Sequence, residues 1–115
     1  MTTELDRTFT ALADATRRKA IERLKSRPYP AGQLARALDV SPPVMSRHLR
    51  VLRTAGLVEE DHQGADARVR VYRLRQEPFG ELRRWADEVE RYWTRELEAF
   101  RAHIERKRRP AGRRR

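Results

Sequence analysis

A chain of 115 residues, with 38% hydrophobic and 38% charged residues, has room for one small domain with a modest core, and amphipathic helices suit that balance better than a thick β-sandwich. The formal net charge of +10 points to an anionic partner, nucleic acid before an acidic membrane surface, while the absence of cysteine excludes disulfides, thiol switches and thiolate metal sites. No apolar run reaches the ~18 residues that span a bilayer, and no charged start leads into an apolar stretch, so a cytoplasmic protein is expected.

Leu5, Phe9, Leu12 and Ala13 recur at helical spacing and predict a first helix over about 4–13. Asp14 is a cap for a second helix over about 15–25, which turns Ala20, Ile21 and Leu24 inward. Pro28 and Pro30 end it in a turn, and a short third helix over about 31–38 buries Leu34, Ala35 and Leu38. Asp39-Val40 is a tight link to a fourth helix, capped by Ser41, opened by Pro42 and running to about Thr54, with Gly56 where a left-handed residue closes it. Residues 57–62 and 68–74 read as the two strands of a hairpin around a loop at 63–67. Pro78 and Gly80 punctuate, and a long helix over about 79–106 carries an apolar stripe of period near 3.6.

The charge sits mainly past that helix. Arg106, Lys107, Arg108, Arg109, Arg113, Arg114 and Arg115 supply +7 of the +10, which leaves +3 on residues 1–105. Residues 1–106 therefore read as the domain, and 107–115 as a basic, disordered tail that suits any polyanion. Two short helices joined by a tight turn and followed by a hairpin make a winged helix-turn-helix: mostly α, in the order α-α-α-α-β-β-α.

On a wheel of 100° per residue, Met45, Leu49 and Leu52 share one face of the fourth helix, with His48 at its edge. The opposite face carries Pro43, Arg47, Arg50 and Thr54, flanked by Ser46. Arginine can bond guanine O6 and N7 in a bidentate pair, serine can bond a base or a phosphate, and the helix N-terminus attracts phosphate, so this face is suited to the major groove. His48 has two readings, a phosphate contact or a satisfied histidine at the core edge, and the second is favoured. Arg68 and Arg70 on the hairpin point to the minor groove or its phosphates; the competing reading is a solvated hairpin with no partner. Trp85, Val89, Tyr92, Trp93, Leu97 and Phe100 form a stripe too broad for one small body to cover. A homodimer would cover it, with Leu5 and Phe9 of the first helix as the natural counterpart, in preference to a pocket for an apolar effector.

The stretch from Phe9 to Leu74 resembles the ArsR/SmtB winged-helix repressors. The matching pieces are FTALADATRRKAIERL (Phe9–Leu24), GQLARALDVSPPVMSRHLRVLRTAGLVEE (Gly32–Glu60) and VYRL (Val71–Leu74), with the pattern S-x-P-x-x-S-R-H-L-x-V-L-x-x-A-G-L-V as the most specific part. The resemblance implies a homodimeric repressor paired through its first and last helices, with Ser41, Pro42, Pro43, Ser46, Arg47 and Arg50 facing DNA. Two departures stand out. Pro30 occupies the place before the third helix where the family usually has Thr or Ser, and the metal-sensing residues are missing. The third helix reads GQLARAL without a thiolate, and the last helix has a single histidine, His103, with Tyr92 eleven residues before it. No metal site and no cofactor are expected, and the residues name no effector.

Three functions compete. The first is a sequence-specific dimeric repressor on an inverted-repeat operator in double-stranded DNA. The second is a non-specific architectural protein driven by the arginine tail. The third, an enzyme, is not expected, because no nucleophile–base pair, Gly-rich phosphate loop or metal triad is present. Membrane binding is not expected either, since the polar face of the last helix mixes Glu and Arg.

Overall fold

Local capping accounts for where the helices begin and end. The computed structural model describes residues 3–62 and 69–108. The elements are α1 (Glu4–Leu12), α2 (Ala15–Leu24), β1 (Tyr29–Pro30), α3 (Ala31–Leu38), α4 (Pro42–Thr54), β2 (Val58–His62), β3 (Arg70–Leu74) and α5 (Glu77–Arg108). Thr3 opens α1 with a capping box: its hydroxyl accepts from the Asp6 N–H at 3.0 Å, and its own N–H donates to the Asp6 carboxylate at 3.2 Å. Asp14 opens α2 by accepting from the Arg17 N–H at 3.0 Å. Pro30 precedes α3 with no side-chain cap, as the departure at that position implies.

Both helices of the helix-turn-helix, α3 and α4, are closed in the same way at their C-termini. Asp39 takes a left-handed φ of 55°, and the Val40 N–H reaches back to the Ala35 carbonyl at 3.0 Å. Gly56 has a φ of 80°, with the Leu57 N–H bonded to the Leu52 carbonyl and the Gly56 N–H to that of Arg53, each at 2.9 Å. These paired bonds are the Schellman closure, which satisfies the last carbonyls of a helix. A Cβ on Gly56 would meet Nη1 of Arg75 at 3.3 Å, a tight contact that a small shift of the arginine relieves, so it is the left-handed φ that favours glycine there.

The sheet corrects the expected order. Residues 28–30 were expected to form only a turn, yet Tyr29 and Pro30 pair with β3, giving a three-stranded antiparallel sheet in the order β1-β3-β2. Proline fits because β1 is an edge strand, where its missing N–H costs no ladder bond. The hairpin itself pairs Val58 with Leu74, Glu60 with Tyr72 and His62 with Arg70. The expected loop at 63–67, and Arg68 with it, lie outside the described residues. Pro78 and Gly80 do not separate the hairpin from the last helix. They lie in its first turn, where a proline gives up no hydrogen bond.

The chain divides into two compact units, Met1–Leu82 and Arg83–Arg115. In the first, a single core gathers Ala11, Ile21, Leu24, Leu34, Met45, Leu49, Leu52, Leu57 and Val58, with Tyr29 and Tyr72 at its rim and Phe79 packed against it. In the second, the described residues are all helical and none is buried. Leu52 has no exposed surface in the first unit. Leu52→Ala should therefore cost about 2–5 kcal/mol in equilibrium urea unfolding, the range for a truncated core leucine. Val51→Ala, one position round the helix and partly exposed, should cost well under half as much.

Candidate nucleic-acid interface

The recognition candidate, α4, is built from its ends inward. Ser41 accepts from the Val44 N–H at 3.3 Å, and Pro42 and Pro43 occupy the first two helical positions, where no N–H is needed. Met45, Leu49 and Leu52 are buried, so the helix can present only one face outward. Ser41, Pro42, Pro43, Ser46, Arg47 and Arg50 are all exposed on α4 and its cap. Arg47 and Arg50 have no acidic partner among the described residues.

Arg53 on the same helix and two arginines of the hairpin are differently placed. Oε2 of Glu60 receives the Tyr72 hydroxyl at 2.6 Å and lies 3.2 Å from Nη1 of Arg53 and 3.6 Å from Nη1 of Arg70. Arg73 donates through Nε to Glu59 at 2.8 Å and also pairs with Asp61. Arg70, expected to face the minor groove, is thus half of an ion pair on the hairpin. Glu60 belongs to the hairpin and Arg53 to α4, so one carboxylate ties the wing to the recognition helix. Arg53 and Glu60 were not singled out from sequence, since the pairing depends on the hairpin register.

His48 is half-buried at the core edge, and its Nδ1 is 3.4 Å from Nη1 of Arg17, so one of its two ring nitrogens is partnered within the chain. On the expected dimer surface, Leu5 and Val89 are half-buried in the single chain. Phe9 and Trp85 are each about two-fifths exposed, and Tyr92, Trp93, Leu97 and Phe100 are 52–60% exposed. Tyr92 and Trp93 make an edge-on ring contact at 5.8 Å between centroids. Among the described residues no group of three His, Asp or Glu side chains converges as a metal site, and no helix is long and apolar enough to cross a membrane.

This arrangement has close counterparts. Residues 14–60 match the model of the bacterial regulatory protein family arsR. The chain is 45% identical over 95 residues to the HTH-type transcriptional regulator Rv2034 of Mycobacterium tuberculosis (strain ATCC 25618 / H37Rv), an alignment covering 83% of each protein. It is 33% identical over 60 residues to the transcriptional repressor SdpR of Bacillus subtilis (strain 168), covering 52% of this chain and 67% of SdpR. An ArsR-like transcriptional regulator from Rhodococcus sp. RHA1 superposes with a TM-score of 0.74 at 31% identity, over 86% of this chain and 91% of that one. The chain belongs to the arsR family of bacterial regulatory proteins.

As an ArsR-family member it is a DNA-binding transcriptional regulator with a winged helix-turn-helix, and the matched segment runs from the α2 cap through the Glu60 position. Within this regulator, Glu60 is an acid whose surroundings reach it from two elements, the hairpin and α4. The Tyr72 hydroxyl, and then Arg70 and Arg53, hold its carboxyl below the usual carboxylate range, against an opposing push from burial. Burial, followed by Glu60 itself, raises the Tyr72 phenol. A carboxyl that titrates below its unfolded value of about 4.3 stabilises the fold above that pH, and the contribution is lost as pH falls through the folded value. Glu60→Ala should cost about 1–3 kcal/mol at neutral pH, because the part-buried Tyr72 hydroxyl loses its acceptor. Glu60→Gln should lose less, and its stability should fall less steeply than wild type below about pH 4 in urea titrations.

Proposed function

We propose that this ArsR-family regulator is a homodimeric repressor that reads an inverted-repeat operator with one α4 helix in each major groove. The carrying observation is that Arg47 and Arg50 stand exposed on the outward face of α4 with no acidic partner among the described residues, whereas Arg53, Arg70 and Arg73 nearby are each engaged by an acid. Guanidiniums not already neutralised are available for bidentate bonds to guanine. Ser41, Pro42, Pro43 and Ser46 form the rest of the contacting face, with Arg70 at its flank on the wing. Arg68 belongs to the same reading but lies outside the described residues. Its place of work is the cytoplasm, where a bacterial operator is found. The repressor role draws on the likeness to SdpR.

The dimer half of the reading rests on the aromatic stripe. Trp93, Leu97 and Phe100 are each more than half exposed in the single chain, an apolar face that a second copy would remove from water. Two-fold pairing would set the α4 helices ~34 Å apart, one turn of duplex. Leu97→Glu combined with Phe100→Glu should leave a monomer in sedimentation velocity, while the far-ultraviolet dichroism per residue stays near that of wild type. A dimer unaffected by both charges would refute this interface.

Selection of bound duplexes from a random pool tests specificity and spacing together. The expected product is an inverted repeat with half-sites about 10 base pairs apart; recovery of unrelated sequences would overturn the reading. Arg47→Ala should relax one position of the recovered half-site and cost about 1–3 kcal/mol there, with random-sequence binding less affected.

A further inference from the structure

Beside its outward face, α4 carries a half-buried histidine whose two ring nitrogens stand in different surroundings. Nδ1 of His48 faces Nη1 of Arg17, which comes from α2, thirty-one residues earlier in the chain. The same guanidinium is committed to the end of α1: its Nε donates to the Ala11 carbonyl at 2.6 Å and its Nη2 to the Thr10 carbonyl at 3.3 Å. The backbone N–H of Arg17 is itself held by the Asp14 cap at 3.0 Å. The side chain that meets His48 is therefore anchored to two other helices before it reaches α4.

The chemistry of the pair decides where the histidine proton lies. Arginine has donors and no acceptor, so its contact with Nδ1 needs the Nδ1 lone pair, and the ring hydrogen then sits on Nε2. Nε2 makes no hydrogen bond with the described chain, and no buried side-chain nitrogen among the described residues lacks a partner, so this N–H is not fully enclosed and is free to meet an acceptor from outside. It does so on the helix that carries Arg47 and Arg50, from the residue directly after Arg47.

We propose that His48 donates its Nε2–H to a backbone phosphate of the bound duplex, and that Arg17 is a positioning residue that fixes this tautomer and ties α4 to the end of α1. The inference rests on α4 being the DNA-contacting helix. A phosphate contact carries no base information but sets the depth and register of the helix in the groove, which the base-reading arginines need. The forked guanidinium matters beyond its charge. Only a planar group with several fixed donors can hold two carbonyls and an imidazole at once, and a lysine ammonium cannot reproduce that geometry.

The tautomer makes the proposal testable with near-isosteric amides. Asparagine places an acceptor near the Nδ1 position and keeps the tie to Arg17, but loses the outward donor. Glutamine places a donor near the Nε2 position and gives up the tie. The full chain would be titrated by fluorescence anisotropy against a selected duplex and a random duplex of equal length. His48→Asn should weaken binding to both about tenfold, the loss of one hydrogen bond to a charged group, leaving their ratio unchanged. His48→Gln should lose less than about threefold. Arg17→Lys, which keeps the charge, should weaken binding about as much as His48→Asn, and the double variant should be little worse than either, because Arg17 acts through His48. Thermal melting of each variant separates weakened binding from loss of fold. A tie with no phosphate contact gives the opposite order, with Asn harmless and Gln damaging, and that result overturns the proposal. So does full multiplication of the Arg17 and His48 losses. A wild-type protein that binds both duplexes equally would instead defeat the sequence-specific reading, while the Asn–Gln order on the random duplex still decides the phosphate contact.

Discussion

The fold of the first unit turns on the burial of one stripe, Met45, Leu49 and Leu52, each of them at most 1% exposed. Sinking a leucine-sized side chain into a core is worth about 2 kcal/mol, so rotating α4 by even a quarter turn would cost several such terms while exposing nothing useful. That stripe fixes which side of the helix faces out, and so places Arg47 and Arg50 together in solvent. The caps then fix where along its axis the helix begins and ends. Ser41 with two prolines closes the front, and Gly56 with its pair of reaching-back amides closes the rear.

Around that helix the polar groups divide into two kinds. Those that hold the frame are satisfied within it: Asp14 at the start of α2, Glu60 beside Tyr72 and the two arginines, and Arg17 between the end of α1 and the middle of α4. Those on the outward face of α4 are left open. A net charge concentrated beyond residue 105 cannot produce that division, and it is the division, more than the total charge, that supports the proposal of α4 as the reading surface. The hairpin shows why charge counting misleads. Arg70 and Arg73 add to the formal charge of the wing, yet the register sets each beside an acid on the neighbouring strand.

The aromatic face of α5 follows a different logic. In a helix whose described residues beyond Leu82 are never buried, Tyr92, Trp93, Leu97 and Phe100 would be an unusual expenditure of apolar surface for a solitary chain. The proposed two-fold partner would cover that face with the same residues on both sides, Leu5 and Phe9 of the first helix among them.

Much of this was legible in the residues alone. The period of Met45, Leu49 and Leu52, the Ser41-Pro42-Pro43 start and the Gly56 stop are local signals acting over a few residues, and each helix of the first unit lies within a residue or two of where they place it. The outward position of Arg47 and Arg50 follows from the same periodicity. What needed the tertiary structure were pairings between segments distant in sequence. β1 exists only because Tyr29 and Pro30 meet β3 more than forty residues later, and Pro30 reads locally as a breaker until an edge position makes its missing N–H harmless. Glu60 is one acid among several until the strand register sets it under Tyr72, with α4 bringing Arg53 to it. His48 is ambiguous on its helix until Arg17 arrives from α2 to occupy Nδ1, leaving Nε2 as the nitrogen without a partner in the described chain. Sequence alone determined what each short segment would do by itself, because capping and periodicity are short-range. Only the packed chain decided which charges neutralise each other and which remain for a partner, because that depends on distances that no spacing along the chain records.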